Sequence, residues 1–240
     1  MSKARSLVAS LAVALGLGLF AAPGARGDAP PPAAPPAPAP SAPRVAWSEH
    51  FAGPLDWVDP FDHPADKLAR VYSVKREDGM TFLRARHDYT ASSPPPAMHY
   101  GHAFQRGPTP LEKVRALTWK WRARKHPPVG SDAWQDMAAG VYVIVKTPSL
   151  LIGGKGFKFG WLAKAGEKDT HQHGILQVEL RHDATGDVWR TETVDLCGLF
   201  RQEYGACEGE KVLYVGVVTD ADGTKAVAEA DYADFELLAK

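Results

Sequence analysis

Eight consecutive residues, Leu117-Thr118-Trp119-Lys120-Trp121-Arg122-Ala123-Arg124, alternate between two chemistries. In an extended chain successive side chains point to opposite sides, so Leu117, Trp119, Trp121 and Ala123 share one face and Thr118, Lys120, Arg122 and Arg124 the other. One face is core and the other is wet. The same period two, broken by turn residues, recurs from residue 71 onward. Residues 71–75 and 80–85 flank Glu77-Asp78-Gly79, and Asp-Gly between β-rich runs is a strong hairpin signal. Residues 139–145 and 212–218 are apolar without alternation, as strands covered on both faces are. Residues 175–181 and 188–194 read as further strands, the second following the turn at Thr185-Gly186-Asp187, and 226–230 and 235–238 as the last two. Asp169-Thr170-His171-Gln172-His173-Gly174 reads as a polar hairpin tip, and Gly153-Gly154-Lys155-Gly156 as a loop between strands. Only 199–204 looks helical, ended by Gly205 at a C-cap position. The expected class is all-β: a single β-sandwich of jelly-roll or lectin-like type with one short helix.

The chain before this region is different in kind. Lys3 and Arg5 precede an apolar run at 7–22, Pro23 breaks it, and Ala25-Arg26-Gly27 supplies small residues for cleavage, which together read as a secretory signal peptide over 1–27. Its apolar run is shorter than the roughly 20 residues that span a bilayer, so no membrane span is expected after cleavage. Residues 28–43 hold eight prolines in a Pro/Ala-rich stretch, a semi-stiff linker. The folded domain is expected at 44–240, in an exported, periplasmic or secreted protein. The full chain carries 28 basic and 28 acidic side chains. The first 27 residues hold three bases and no acid, so the remainder has 28 − 3 = 25 bases against 28 acids. A mildly acidic domain gives no electrostatic reason to expect a nucleic-acid partner.

Several phrases resemble a bacterial family catalogued as domain of unknown function 3047. They are Leu117-Thr118-Trp119-Lys120-Trp121-Arg122, Asp136 leading into Ala138-Ala139-Gly140-Val141-Tyr142-Val143, Trp189 with Glu192, Leu199-Phe200-Arg201-Gln202-Glu203-Tyr204-Gly205, Val217-Val218-Thr219-Asp220-Ala221-Asp222-Gly223-Thr224, and Ala230-Asp231-Tyr232-Ala233-Asp234-Phe235. The resemblance spans roughly residues 47–238 and implies an exported β-sandwich with no established activity. The sequence departs from it at Gly140, Val194 and Leu199, where that family tends to carry charged residues.

Four sets of residues could carry chemistry. Asp220 and Asp222 form an Asp-x-Asp-Gly turn that offers carboxylates to a hard cation, so a structural Ca²⁺ is one reading and a simple turn the other. Cys197 and Cys207 fit a disulfide in an oxidising compartment, provided the intervening helix is short. Trp134 between Asp132 and Asp136, together with Arg122, Trp161 and Glu192, suggests aromatic stacking and polar contacts to a glycan or another envelope component. Trp57 and Trp189 are further candidates for stacking. Asp136 and Glu192 are the candidate acid and base if the domain is instead a glycan hydrolase or lyase. No cofactor is required by any motif. A non-catalytic binding module is the leading expectation, and an envelope scaffold domain the third.

Overall fold

The alternating segment lies inside a twelve-residue strand whose dry face, Leu117, Trp119, Trp121 and Ala123, is completely buried. The structure, a computed structural model, describes residues 43–105, 107–129, 136–147, 153–164 and 170–240. In chain order the strands are β1 (Val45–Glu49), β2 (Tyr72–Glu77), β3 (Met80–Asp88), β4 (Tyr100–Ala103), β5 (Thr109–Pro110), β6 (Val114–Lys125) and β7 (Met137–Lys146). They continue as β8 (Lys155–Trp161), β9 (Thr170–Gln172), β10 (Ile175–Arg181), β11 (Arg190–Val194), β12 (Lys211–Val212), β13 (Tyr214–Asp220) and β14 (Val227–Ala239). Two short helices, α1 (Ala65–Val71) and α2 (Leu196–Tyr204), complete the described elements, with one 3-10 turn at Leu111–Lys113.

The first sheet runs β11-β6-β14-β3-β2, with β1 also paired to β14, and the second runs β4-β13-β7-β8-β10-β9. Their inner faces share one apolar core, so the fold is an all-β sandwich. Trp119 meets Phe159 and Trp121 meets Trp161, each pair with ring centroids 5.6 Å apart across the sheets. Each such side chain, fully buried, contributes about 1.5–3 kcal/mol relative to exposure. The Tyr232 hydroxyl on β14 adds a polar tie by donating to the Val218 carbonyl at 2.8 Å and accepting from the Gly140 N–H at 3.2 Å.

Local chemistry explains most boundaries. Asp78 and Gly79 both take positive φ, 51° and 79°, which a two-residue hairpin turn between β2 and β3 requires. His173 and Gly174 repeat the device between β9 and β10, at the hairpin tip expected there. Helix α2 begins where the Asp195 side chain accepts the Gly198 N–H and ends at Gly205, φ 93°. The Tyr204 hydroxyl at its end lies 2.7 Å from the backbone carbonyls of both Gly156 and Gly174, which share its one proton, and accepts the Leu176 N–H.

Several elements differ from the sequence reading. The last two expected strands are one thirteen-residue strand, β14, kept continuous by a bulge at Asp234, φ 49°. Asp231 and Asp234 therefore sit inside it, not before it. Helix α1 was not expected, because seven residues burying only Val71 carry too little 3.6-residue period. Gly156 lies within β8, and β8 pairs in parallel with β10 although every other strand pairing among the described residues is antiparallel.

Cys197 and Cys207 are disulfide-bonded with Cα atoms 5.6 Å apart, closing a short loop around α2. The double substitution Cys197→Ser/Cys207→Ser should lower the free energy of unfolding by about 2–3 kcal/mol. Urea denaturation reads this directly, and unchanged midpoints would show that the bond contributes nothing.

Candidate functional site

The outer face of the first sheet is built from charge at period two. Arg84 and Arg86 lie on β3, Arg122 and Arg124 on β6, and Glu229 and Asp231 on the strand between them. Register places Asp231 opposite Arg84 on one side and Arg122 on the other. Its side chain has no solvent exposure. A carboxylate in that position needs close cations, and it has them: Arg84 Nε at 2.8 Å, Arg122 Nε at 2.7 Å and Arg124 Nη1 at 3.4 Å. Glu77, at the end of β2, joins Arg84 at 3.1 Å and Arg122 at 2.9 Å, and Arg124 reaches Asp187 at 3.0 Å. The Arg122 hydrogen bond, with the Arg84 charge behind it, holds the Glu77 carboxyl below its ordinary range. The hydrogen bond to Asp231 likewise raises Arg84 above the usual guanidinium value.

Aromatic rings bracket this lattice. The Arg122 guanidinium lies 4.6 Å from the centroid of Trp189 and 5.2 Å from that of Phe82, and the two rings meet edge to face at 5.5 Å. A cleft of about 480 Å³ opens beside them, lined by Glu77, Asp78, Phe82, Arg122, Arg124, Asp187 and Trp189 among others. It offers two guanidinium groups, three carboxylates and the half-buried Trp189 ring with Phe82 buried behind it, a donor and acceptor set suited to a hydroxyl-rich ligand that also presents an apolar face.

The residues expected from sequence to form one site are dispersed. Arg122 belongs to the cleft. Trp161 is in the core, 2% exposed, with its indole N–H donating to the Asp183 carbonyl. Trp57 is also core, against Phe51 and Phe235. Glu192 accepts the Trp121 indole N–H at 2.9 Å and pairs with Arg181, so it serves a buried indole. Asp136 accepts the Gly223 and Thr224 backbone N–H groups and fixes that turn. Neither Asp136 nor Glu192 stands free as an acid or base. Trp134 lies outside the described residues. Of the positions where the resemblance expects charge, Gly140 has no room for it: a Cβ there would lie 2.7 Å from Met137 Sδ and 2.8 Å from Val218 Cγ1. Val194 is buried at the end of β11, and Leu199 is half-buried in α2.

Asp220 and Asp222 are joined by Asp136, their carboxylate oxygens all within 4.8 Å of one another. Burial, and then the Asp220 and Asp136 charges, push the Asp222 carboxyl up. Asp220 also lies 3.2 Å from Nδ1 of the buried His87. Burial alone would lower His87, but the Asp220 carboxylate and the Pro95 carbonyl outweigh it and raise its pKa. Three carboxylates fit Ca²⁺ in kind, and the rest of its six to eight oxygens would have to come from carbonyls and water.

What sequence reading missed is Asp231, Arg84 and Trp189 as one unit. The i, i+2 spacing of Arg84/Arg86, Arg122/Arg124 and Glu229/Asp231 was the available signal, but it becomes a site only once strand neighbours are known.

Asp231→Ala should destabilise the fold by about 3–5 kcal/mol, because three arginines lose a buried counter-charge. A loss under about 1 kcal/mol in chemical denaturation would show that those arginines are already solvated. Glu77 has a lowered folded pKa, so its contribution is present above the unfolded value of 4.5 and lost as pH falls through the folded value. Glu77→Gln should therefore flatten that part of the acid-unfolding curve followed by circular dichroism. No protein-family model matches the chain, and no curated protein resembles it in sequence.

Proposed function

We propose that this is an exported, non-catalytic binding module that takes a neutral glycan, or a glycan-bearing envelope component, in the Trp189 cleft. The observation that carries the reading is the half-buried Trp189 ring, backed by the buried Phe82, set beside Arg122, Arg124, Asp78 and Asp187 in one cavity. A pyranose presents C–H groups to an aromatic face and hydroxyls to the surrounding guanidinium and carboxylate groups. The cleft's acids outnumber its arginines, so it offers no net positive charge to a polyanionic polysaccharide.

The competing reading, a hydrolase or lyase using Asp136 and Glu192, finds both carboxylates engaged in structural hydrogen bonds. A structural Ca²⁺ at Asp136, Asp220 and Asp222 would act on stability and is not needed for binding. Export is supported by the disulfide, which persists in oxidising compartments. In this reading residues 28–43 are the tether that holds the domain away from its anchoring surface, and the resemblance to domain of unknown function 3047 describes the module's fold. Among the described residues no helix is long and apolar enough to cross a membrane.

A glycan array probed with the protein tests the proposal. Neutral oligosaccharides should be retained, and Trp189→Ala should lose about tenfold in affinity while keeping its circular dichroism spectrum. Retention of no glycan, or equal binding by the variant, would overturn it.

A further inference from the structure

The second sheet turns a different surface outward. Register aligns Ala103, Tyr214, Ile144, Gly156 and Ile175 in one row across five strands, and Gly101, Gly216, Tyr142, Lys158 and Gln177 in the next. The two glycines on neighbouring strands leave a shallow trough, and the Tyr214 ring lies down in it. A Cβ on Gly216 would stand 2.3 Å from the Tyr214 hydroxyl, and one on Gly101 2.7 Å from its Cζ. The hydroxyl is thus laid along the sheet and away from water.

Tyr214 is 8% exposed, and its hydroxyl is buried with no hydrogen-bond partner among the described residues. A buried hydroxyl without a partner forgoes a hydrogen bond that a ligand oxygen within reach would supply, and unlike the Trp119 indole N–H, also unpartnered, it belongs to a side chain that lines a pocket. Tyr214 lines a pocket of about 560 Å³ together with Phe61, His99, Ala103, Tyr142 and Ile144. Asp59 shapes one rim by accepting the Phe61 N–H at 2.9 Å and the His63 N–H at 3.0 Å, which presents the Phe61 ring at 63% exposure. From there the rings continue inward, Phe61 to His99 at 5.3 Å and His99 to Tyr142 at 4.5 Å.

The lining is almost wholly apolar, with the Lys158 ammonium 5.6 Å from the Tyr142 ring centroid as the nearby cation. Burial, and secondarily the Lys158 ammonium, push His99 down to about 4. Burial holds the Tyr142 and Tyr214 hydroxyls protonated, and the Asp59 charge adds to this at Tyr214. A sugar would strand most of its hydroxyls here, and a carboxylate beside Tyr214 would face Asp59.

We propose that this pocket binds the hydrocarbon part of an uncharged amphiphile, such as a medium-chain alcohol or acylglycerol, with the Tyr214 hydroxyl donating to its oxygen. The site is on the opposite face of the sandwich from the Trp189 cleft and stands or falls independently of it.

Isothermal titration of the full protein with 1-decanol, decanoate and maltose tests this. Decanol should bind, decanoate should bind about tenfold more weakly, and maltose should give no signal at this site. Tyr214→Phe should leave the melting temperature unchanged or raised, since the hydroxyl has no protein partner to lose, and should weaken decanol about fivefold. Ala103→Trp fills the pocket from its edge strand and should abolish decanol binding with the circular dichroism spectrum intact, whereas Trp189→Ala should leave it unchanged. No binding of decanol, undiminished binding by either pocket variant, or a Tyr214→Phe protein that melts several degrees lower would each overturn the proposal.

Discussion

One buried carboxylate organises the first sheet. Asp231 occupies the strand between β3 and β6, and each neighbour sends it an arginine from the directly opposed position. Three strands are thereby held in register by charge as well as by the backbone ladder. A one-residue slip of β14 would turn Asp231 into the core and strand those guanidinium groups on the outside. Arginine suits the task because its planar fork can serve Asp231 and Glu77 at once, as both Arg84 and Arg122 do, and its flat face can rest on Trp189 and Phe82. The cleft is a by-product of that arrangement, with Phe82 buried against the guanidinium groups and Trp189 half-buried where the lattice ends.

The two outer faces carry opposite chemistries on a common core. On the first sheet the outward rows through Glu229 and Asp231 are charged and their charges are paired. On the second, Gly101, Gly140, Gly160 and Gly216 thin the surface, and Met137, Tyr142, Leu162, Ile175, Tyr214 and Val218 form a second apolar cluster. A sheet dry on both sides explains why β7 and β13 read as unbroken apolar runs. The Tyr232 hydroxyl crosses between the layers to Gly140, Val218 and Thr219 and binds the charged sheet to the apolar one.

Much of the fold was legible in the sequence because it rests on local rules. The alternation at 117–124, the Asp78-Gly79 turn, the Gly205 cap and the spacing of Cys197 and Cys207 each specify their own geometry. Trp161 shows a rule not applied far enough: it follows Phe157 and Phe159 at period two, which places it on the core face whatever polar residues stand next to it. The ionic cluster and the Tyr214 trough were not legible for a different reason. Each joins residues more than a hundred positions apart, and one residue of register decides whether they meet. Likewise Asp231 looks like a turn residue until the bulge at Asp234 lets β14 run on.

The Tyr204 hydroxyl links a covalently closed loop to a sheet pairing that no tight turn makes. It takes the carbonyls of Gly156 and Gly174 and the Leu176 N–H, all at the start of the parallel β8–β10 pair, and it stands at the end of the helix that the Cys197–Cys207 bond encloses. Parallel pairing cannot be made by a tight turn, so this part of the sheet depends on contacts from elsewhere. The oxidation state of one thiol pair thus reaches the least locally determined strands of the sandwich. Breaking that bond would remove the covalent tie behind the Tyr204 clamp, so the cost would be read at the β8–β10 pair as well as in the helix.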